Sequence, residues 1–236
     1  MIHPKTLFFL VGAFLLYSCS GKTTSKPEKQ AQEQPAADWV LLAEGNNLEH
    51  WEMYNQGEIK GWELINGELH GSGAGWDANQ DLITKQAYDN FELSLEWKIA
   101  PANSSGIFFY VPKGSDQPIY DLAPEYQILD DKGWPKKMQP NQYTGGSYAM
   151  YAPEGAEVKP VGEWNTTRIL VNYPYVEHWL NGKKVVAYEI GSKDWQARKA
   201  ADKWAQVPQY GVAKSGHIGL QNAGKVTYRH IKIKEL

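Results

Sequence analysis

Phe91-Glu92-Leu93-Ser94-Leu95-Glu96-Trp97-Lys98-Ile99 alternates apolar and polar residues without a fault. A helix would scatter those apolar positions around its circumference, whereas the two-residue period of a strand gathers them on one face. The segment therefore predicts a half-buried strand, and its apolar face demands a second layer to cover it. Two Asn-Gly pairs add hairpins: Asn66-Gly67 within 64–69 and Asn181-Gly182 within 178–186 each stand between strand-like runs. Asn and Gly accept the two successive positive φ angles of a type I′ turn. Further strands are expected at 107–111, 126–129, 167–173, 217–221 and 226–233. Only 192–206 reads as helical, with Ser192 as N-cap, Asp194 in the first turn and an Ala- and Lys-rich body ending before Pro208. This pattern predicts an all-β fold, a two-sheet antiparallel jelly-roll sandwich with one short helix. Segments 114–124 and 132–146, rich in Gly, Pro, Asn and Asp, predict long loops of the kind that carry function in compact sandwiches.

The first residues point to export. His3 and Lys5 precede an apolar run over 7–16 and then Tyr17-Ser18-Cys19, the layout of a secretory signal peptide. The run is too short for a permanent membrane span. Leu16-Tyr17-Ser18-Cys19 also fits the bacterial lipobox, in which a small residue precedes a cysteine that is acylated and becomes the new N-terminus. Cys19 is the only cysteine, which leaves no internal disulfide. The expected organisation is a signal peptide over 1–18, a lipidated Cys19 and flexible tether over 19–38, and one jelly-roll carbohydrate-active domain over 39–236. Residues 20–38 are too polar to bury the surface that folding needs, and the remainder is long enough for one all-β domain. The expected location is the bacterial envelope, on its periplasmic side or at the cell surface, with membrane contact through the lipid alone. A formal charge of −3 with lysines and glutamates interspersed and no basic run argues against nucleic acid or anionic lipid as a partner. Ten tryptophans and fourteen tyrosines are an unusual surplus; part of it is expected in the core, and aromatic faces are also what stacks on the C–H faces of sugar rings.

The run Glu125-Tyr126-Gln127-Ile128-Leu129-Asp130 is the strongest candidate for chemistry. On a regular strand Glu125, Gln127 and Leu129 share a face opposite Tyr126 and Ile128. A bulge after Gln127 would bring Asp130 onto the face of Glu125 and Gln127. Jelly-roll glucanases place three acids in that way, but here the middle position is an amide, which weakens a glycosidase built on two carboxylates. His178 and Trp179, just ahead of a hairpin turn, are expected to form one wall of a sugar site. Gln221 shares a face with His217 and Gly219, opposite Ile218 and Leu220, and would reach a polar cleft. Tyr148, Asn165 and Arg168 are further candidates for holding hydroxyls. No His-x-His, Cys-x-x-Cys, Gly-x-Ser-x-Gly, P-loop or dinucleotide fingerprint occurs, which leaves a zinc hydrolase, a serine esterase and a nucleotide enzyme without support. No cofactor is assigned. A divalent cation stays open, with Glu125, Asp130 and Asp131 as oxygen donors, although no EF-hand-like loop is present.

Taken in order, Asn103-Ser104-Ser105-Gly106-Ile107-Phe108-Phe109, the 125–130 run, Gly162-Glu163-Trp164-Asn165, Val176-Glu177-His178-Trp179-Leu180-Asn181-Gly182 and Gly216-His217-Ile218-Gly219-Leu220-Gln221 resemble the 3-keto-disaccharide hydrolase family, also described as 3-keto-glucoside 1,2-lyases and 3-keto-2-hydroxyglucal hydratases. The resemblance covers essentially all of 39–236. It implies a concanavalin A-like jelly roll and an oligosaccharide or glycoside substrate already oxidised at C3 by a separate sugar 3-dehydrogenase. A C3 ketone acidifies the C2 proton, so one base can start a β-elimination that water addition completes as net hydrolysis. On that reading Glu125 or His178 is the base and Asp130 assists protonation or orientation. Gln127, Gln221 and Asn103 then hydrogen-bond the sugar and its developing enolate. The chain departs from the family pattern twice: Leu220-Gln221-Asn222-Ala223-Gly224 stands for Leu-Gln-Asp-His-Gly, and Ala149 for an Asp after the tyrosine. Both changes remove ionisable groups near the expected cleft. A non-catalytic glycan-binding domain, a two-carboxylate glycosidase and a structural envelope lipoprotein therefore stay open beside the lyase.

Overall fold

The computed structural model describes residues 38–55 and 57–236; the expected signal peptide, Cys19 and nearly all of the expected tether lie outside the described residues. In chain order the strands are β1 (Val40–Leu41), β2 (Trp51–Met53), β3 (Trp62–Ile65), β4 (Glu68–Ser72), β5 (Leu82–Thr84), β6 (Phe91–Ile99), β7 (Ser104–Val111), β8 (Glu125–Leu129), β9 (Asn165–Asn172), β10 (Tyr175–Leu180), β11 (Lys183–Glu189), β12 (His217–Leu220) and β13 (Lys225–Glu235). They form two antiparallel sheets. One runs β11-β10-β9-β6-β13-β4-β3 with β1 added on β13, and the other runs β2-β5-β12-β7-β8. The alternation read in β6 is realised residue by residue: Phe91, Leu93, Leu95, Trp97 and Ile99 are buried between the sheets, and the residues between them face outward. Each such side chain contributes about 1.5–3 kcal/mol on burial, so the register of this central strand is strongly set. Both Asn-Gly turns take the expected geometry, with φ of 51° and 79° at Asn66-Gly67 and 49° and 82° at Asn181-Gly182.

The helical segment is shorter than its pattern suggests. Helix α1 spans Lys193–Ala201, capped by the Ser192 side chain accepting from Trp195 N. Asp202 then turns extended, and its carboxylate accepts from Lys203 N to open a 3₁₀ turn, Lys203–Gln206. A pile of rings holds this corner: Trp204 stacks on Tyr210 at 3.8 Å, Tyr210 on Trp195 at 6.0 Å, and Trp195 on Tyr188 at 5.4 Å. Much of the aromatic surplus is therefore core, since Trp51, Trp97, Trp195 and Trp204 are all buried.

Of the five-stranded sheet, only part of the outward face is covered. The 112–124 loop seals one end by packing Ile119, Leu122 and Ala123 on Phe108, Val111 and Ile83. The rest of that face is left for something else.

Candidate functional site

Over the uncovered part of the sheet lies a cavity of about 420 Å³. Its floor follows from strand register. β7 and β8 pair without a shift, setting Phe108 opposite Glu125, Gly106 opposite Gln127 and Ser104 opposite Leu129. Glu125, Gln127 and Leu129 consequently line the cavity, and Tyr126 and Ile128 enter the core. The bulge after Gln127 that would bring Asp130 onto this face is absent from this pairing. Gln221 N donates to Gly106 O at 3.0 Å, which puts Gln221, Gly106 and Gln127 in one row across three chain segments. A Cβ at Gly106 would lie 2.2 Å from Glu125 Oε1, so the carboxylate keeps this place only over a glycine. The open edge of β8 is tied down by the segment beside it. Gly145 N donates to Gln127 O, Gln127 N to Gly146 O and Tyr148 N to Glu125 O.

Glu125 is 6% exposed and has no ion-pair partner within 4 Å among the described residues. Burial pushes its carboxyl well above the usual range; Lys203 pulls against that shift and Asp81 adds to it. Lys203 moves the other way, since burial lowers its ammonium while Glu125 opposes the fall. Desolvation therefore pushes both groups toward neutrality, while the charge of each opposes the other's shift. Nζ of Lys203 sits over the rings of Trp204 and Tyr148, at 4.1 and 4.7 Å, a placement that replaces some lost hydration. Gln127 Nε2 donates to Gln142 O at 3.4 Å, and Gln142 Nε2 to Tyr148 OH at 3.3 Å. At the other end of the cavity the lining is Leu129, Met138, Lys136, Trp134 and Trp76. The two indoles stand 6.3 Å apart at 50°, and Trp76 is 54% exposed.

Four of the expected residues, Glu125, Gln127, Tyr148 and Gln221, meet in this cavity. The others are employed elsewhere. Without the bulge, Asp130 turns to the backbone, its Oδ2 accepting from Ala102 N and its Oδ1 from Gly133 N, both at 2.8 Å. Burial alone would raise it, but these bonds and one from Lys132 hold its carboxyl below the usual range. Asn103 donates to Pro101 O and accepts from Lys225 N. His178 is fully buried between the sheets and 5.0 Å from the Tyr126 ring. Its Nδ1 donates to Gly145 O at 3.0 Å, and its Nε2 has no partner among the described residues. Burial lowers this imidazole to about 4. Because successive strand residues face opposite ways, Trp179 points out of the eight-stranded sheet, where Arg168 stacks on it at 4.8 Å. His178 and Trp179 thus form no common wall. Asn165 is buried and binds Lys159 N, Asn181 Nδ2 and Glu163 O, which pins the β10–β11 turn.

The oxygen donors named for a cation do not converge. Asp131 accepts from Thr144 N and Oγ1, and no group of three or more His, Cys, Asp and Glu among the described residues could hold a metal. Of the two departures in sequence, Asn222 is a strut: it accepts from Gly73 N and donates to Gly61 O, and its own N–H goes to Asp81 Oδ1. Asp81 in turn is raised by burial to about 6. Ala149 is buried at φ 57°, a left-handed conformation that Asn and Asp accept more readily than Ala. Sequence reasoning missed Lys203, Trp76 and Trp134. The signals were present: Asp202 as a cap directly before Lys203, and tryptophans inside Gly-, Asp- and Pro-rich loops.

The model of the 3-keto-alpha-glucoside-1,2-lyase-like domain family matches residues 38–234. The chain is 29% identical over 278 aligned positions to the 3-keto-disaccharide hydrolase of Bacteroides thetaiotaomicron, an alignment that covers 96% of each protein. Two solved structures from Parabacteroides distasonis ATCC 8503, both provisionally named glycosyl hydrolases, share the fold. One is 36% identical with a TM-score of 0.79 and covers 84% of this chain and 94% of its own; the other is 26% identical with a TM-score of 0.65 and covers 84% and 100%.

Proposed function

The chain belongs to the 3-keto-alpha-glucoside-1,2-lyase-like domain family, and from that premise we propose that it cleaves a 3-keto-glycoside by β-elimination in the cavity above β7 and β8, with hydration completing net hydrolysis. The observation that supports this most directly is the lone carboxylate. Glu125 is the only Asp or Glu that lines the cavity among the described residues, and Lys203, in the same lining, partly offsets its burial without forming an ion pair. A conventional glycosidase needs two carboxylates at a set spacing, whereas removing a proton next to a ketone needs one base of suitable pKa.

In this reading ionised Glu125 takes the C2 proton, and the C–H electron pair forms the C2=C3 enolate. Amide N–H groups of Gln127 and Gln221 stabilise the enolate oxygen. As C3=O re-forms, C1=C2 is made and the C1–O bond breaks. The leaving oxygen takes a proton, for which the Lys203 ammonium is the donor at hand and protonated Glu125 its resupply. Water then adds its hydroxyl to C1 and its hydrogen to C2, releasing the 3-keto-sugar. Of the two bases weighed in sequence, Glu125 has access to the cavity and His178 does not, and the assisting role given to Asp130 passes to Lys203.

The test is incubation of the mature domain with 3-keto-glucosides and their unoxidised parents, following aglycone release and the ultraviolet band of the enone. Release from the keto forms alone is expected. Release from the parents would overturn the elimination, and binding without release would make the domain a glycan binder. We further propose that the protein is exported and anchored through lipid on Cys19, and that a sugar 3-dehydrogenase supplies its substrate. Cys19→Ser should then move the protein into the soluble fraction; unchanged membrane association would refute the anchor.

A further inference from the structure

The cavity has two chemically different ends. Near Glu125 the lining is polar, with Gln127, Gln142, Tyr148, Gln221 and Lys203. Past Leu129 it is Trp76, Trp134 and Met138, with Ser104 and Lys136 as the polar members. β8 carries the cavity from one end to the other. At about 3.3 Å per residue, Glu125 and Leu129 are about 13 Å apart along the strand, which exceeds the span of one pyranose ring. A sugar placed for C2 deprotonation by Glu125 therefore leaves the tryptophan mouth to the group on its C1 oxygen. Trp76 is not held there by core packing, since it is 54% exposed and its ring contact is with Trp134 across the mouth, at 6.3 Å and 50°. Two tilted indoles, with Met138 in the same lining, offer flat apolar surface to a group at the mouth. An aryl ring presents two apolar faces to this lining, whereas a pyranose presents one C–H face and leaves its hydroxyls to solvent, Ser104 and Lys136.

We propose that Trp76, Trp134 and Met138 form a leaving-group subsite for an aromatic aglycone, so that the preferred substrates are 3-keto-glucosides of aryl alcohols. The proposal rests on the elimination reading above, and its test separates the two. Methyl, phenyl and glucosyl 3-keto-glucosides are compared by kcat/KM, and the affinity of each is read by calorimetry on Glu125→Gln protein. By calorimetry the phenyl compound is expected to bind about tenfold or more tighter than the methyl compound, a ratio into which phenol's greater ease of leaving does not enter. Trp76→Ala and Trp134→Ala should each reduce that phenyl-to-methyl ratio severalfold, while Trp164→Ala, on the outer face of the other sheet, should not. An unchanged ratio in both variants, or a glucosyl compound preferred over phenyl and weakened by the same substitutions, would overturn the aromatic assignment. Absence of turnover on all three would refute the elimination reading alone. The calorimetric phenyl-to-methyl ratio would still decide the subsite, standing if the two tryptophan variants lower it and failing if they do not.

Discussion

The outward faces of the two sheets use the same residue types to opposite ends. On the eight-stranded sheet carboxylates are matched with bases: Glu92 with Arg168 and Lys234, Glu96 with Arg229, Glu177 with Lys184 and Glu68 with Lys98. Partial burial alone would raise Glu92, Glu96 and Glu177, yet hydrogen bonds from these bases hold all three below their ordinary values. Tryptophans there lie under cations, Trp164 under Arg229 and Trp179 under Arg168. On the five-stranded sheet Glu125 lacks such a match, and burial raises it. The difference is solvent: partly exposed carboxylates gain from pairing and retain hydration, whereas a buried acid with no cation in contact is raised by desolvation. A charged aromatic surface is common to both faces; desolvation of an incompletely paired acid sets one apart.

The largest effect that would break this contrast is at Glu125 itself. Glu125→Gln keeps the shape and removes the proton acceptor, so turnover of a 3-keto-glucoside should fall about 10³-fold. Stability should move oppositely. An acid whose folded pKa is raised contributes most below its unfolded value near 4.5, and that contribution is lost as pH rises through its higher folded pKa. Thermal unfolding at pH 5 and pH 9 should therefore show the variant gaining on the wild type at pH 9. A variant that turns over normally, or that gains nothing at pH 9, removes the basis for treating the two faces differently.

His178 tests the boundary between site and core. Its imidazole is lowered to about 4 by burial, so the folded state favours the neutral ring. That contribution is complete above the ordinary value of 6.5 and is lost as pH falls from 6.5 toward 4. The loss should amount to about 3 kcal/mol in wild type and be absent in His178→Gln, as read from denaturant midpoints across that window. If instead the variant loses turnover 10²-fold or more with an unchanged acid profile, the histidine acts in the chemistry.

Gly106 sharpens the floor of the cavity. A methyl group there meets Oε1, Cδ and Cγ of Glu125 within 2.8 Å, so Gly106→Ala must turn the carboxylate aside. The expected loss of kcat is about 10²-fold, with a stability cost of about 1–3 kcal/mol. Rates near wild type would mean that Glu125 has freedom the packing denies.

How much of this was legible in the chain differs by level. The strands, both Asn-Gly hairpins and the inward face of β6 follow from a two-residue period that any half-buried sheet imposes. The same period correctly set Glu125 and Gln127 against Tyr126 and Ile128. What it cannot state is to which sheet a strand belongs. Asn165, Arg168, His178 and Trp179 sit on β9 and β10, and their polar and aromatic side chains beside a hairpin turn made them look like neighbours of Glu125. They are in fact on the far sheet, with one facing the core and its neighbour facing solvent. Asp130 was misplaced by a bulge that the β7–β8 register does not contain. Lys203, Trp76 and Trp134 were missed because they come from loops and a 3₁₀ turn, whose positions depend on the ring pile at Trp204 and on contacts distant in sequence.

The smallest expected effect closes the comparison from the other side. Arg168 reaches Glu92 and stacks on Trp179, and its side chain is about one-third exposed. An exposed pair of this kind contributes about 0.2–1 kcal/mol. Lys234 remains on Glu92 at 2.9 Å after its loss. Arg168→Ala should therefore cost less than about 1 kcal/mol at low salt, and less again at 1 M salt, where the Debye length is about 3 Å. Turnover should stay within twofold, since the residue lies across the whole sandwich from Glu125. A double-mutant cycle with Glu92→Gln in denaturant, run beside the kinetic assay, measures both. A coupling above about 2 kcal/mol, or a tenfold loss of rate, would show that the outer network of the eight-stranded sheet governs the cavity and that the two faces act as one device.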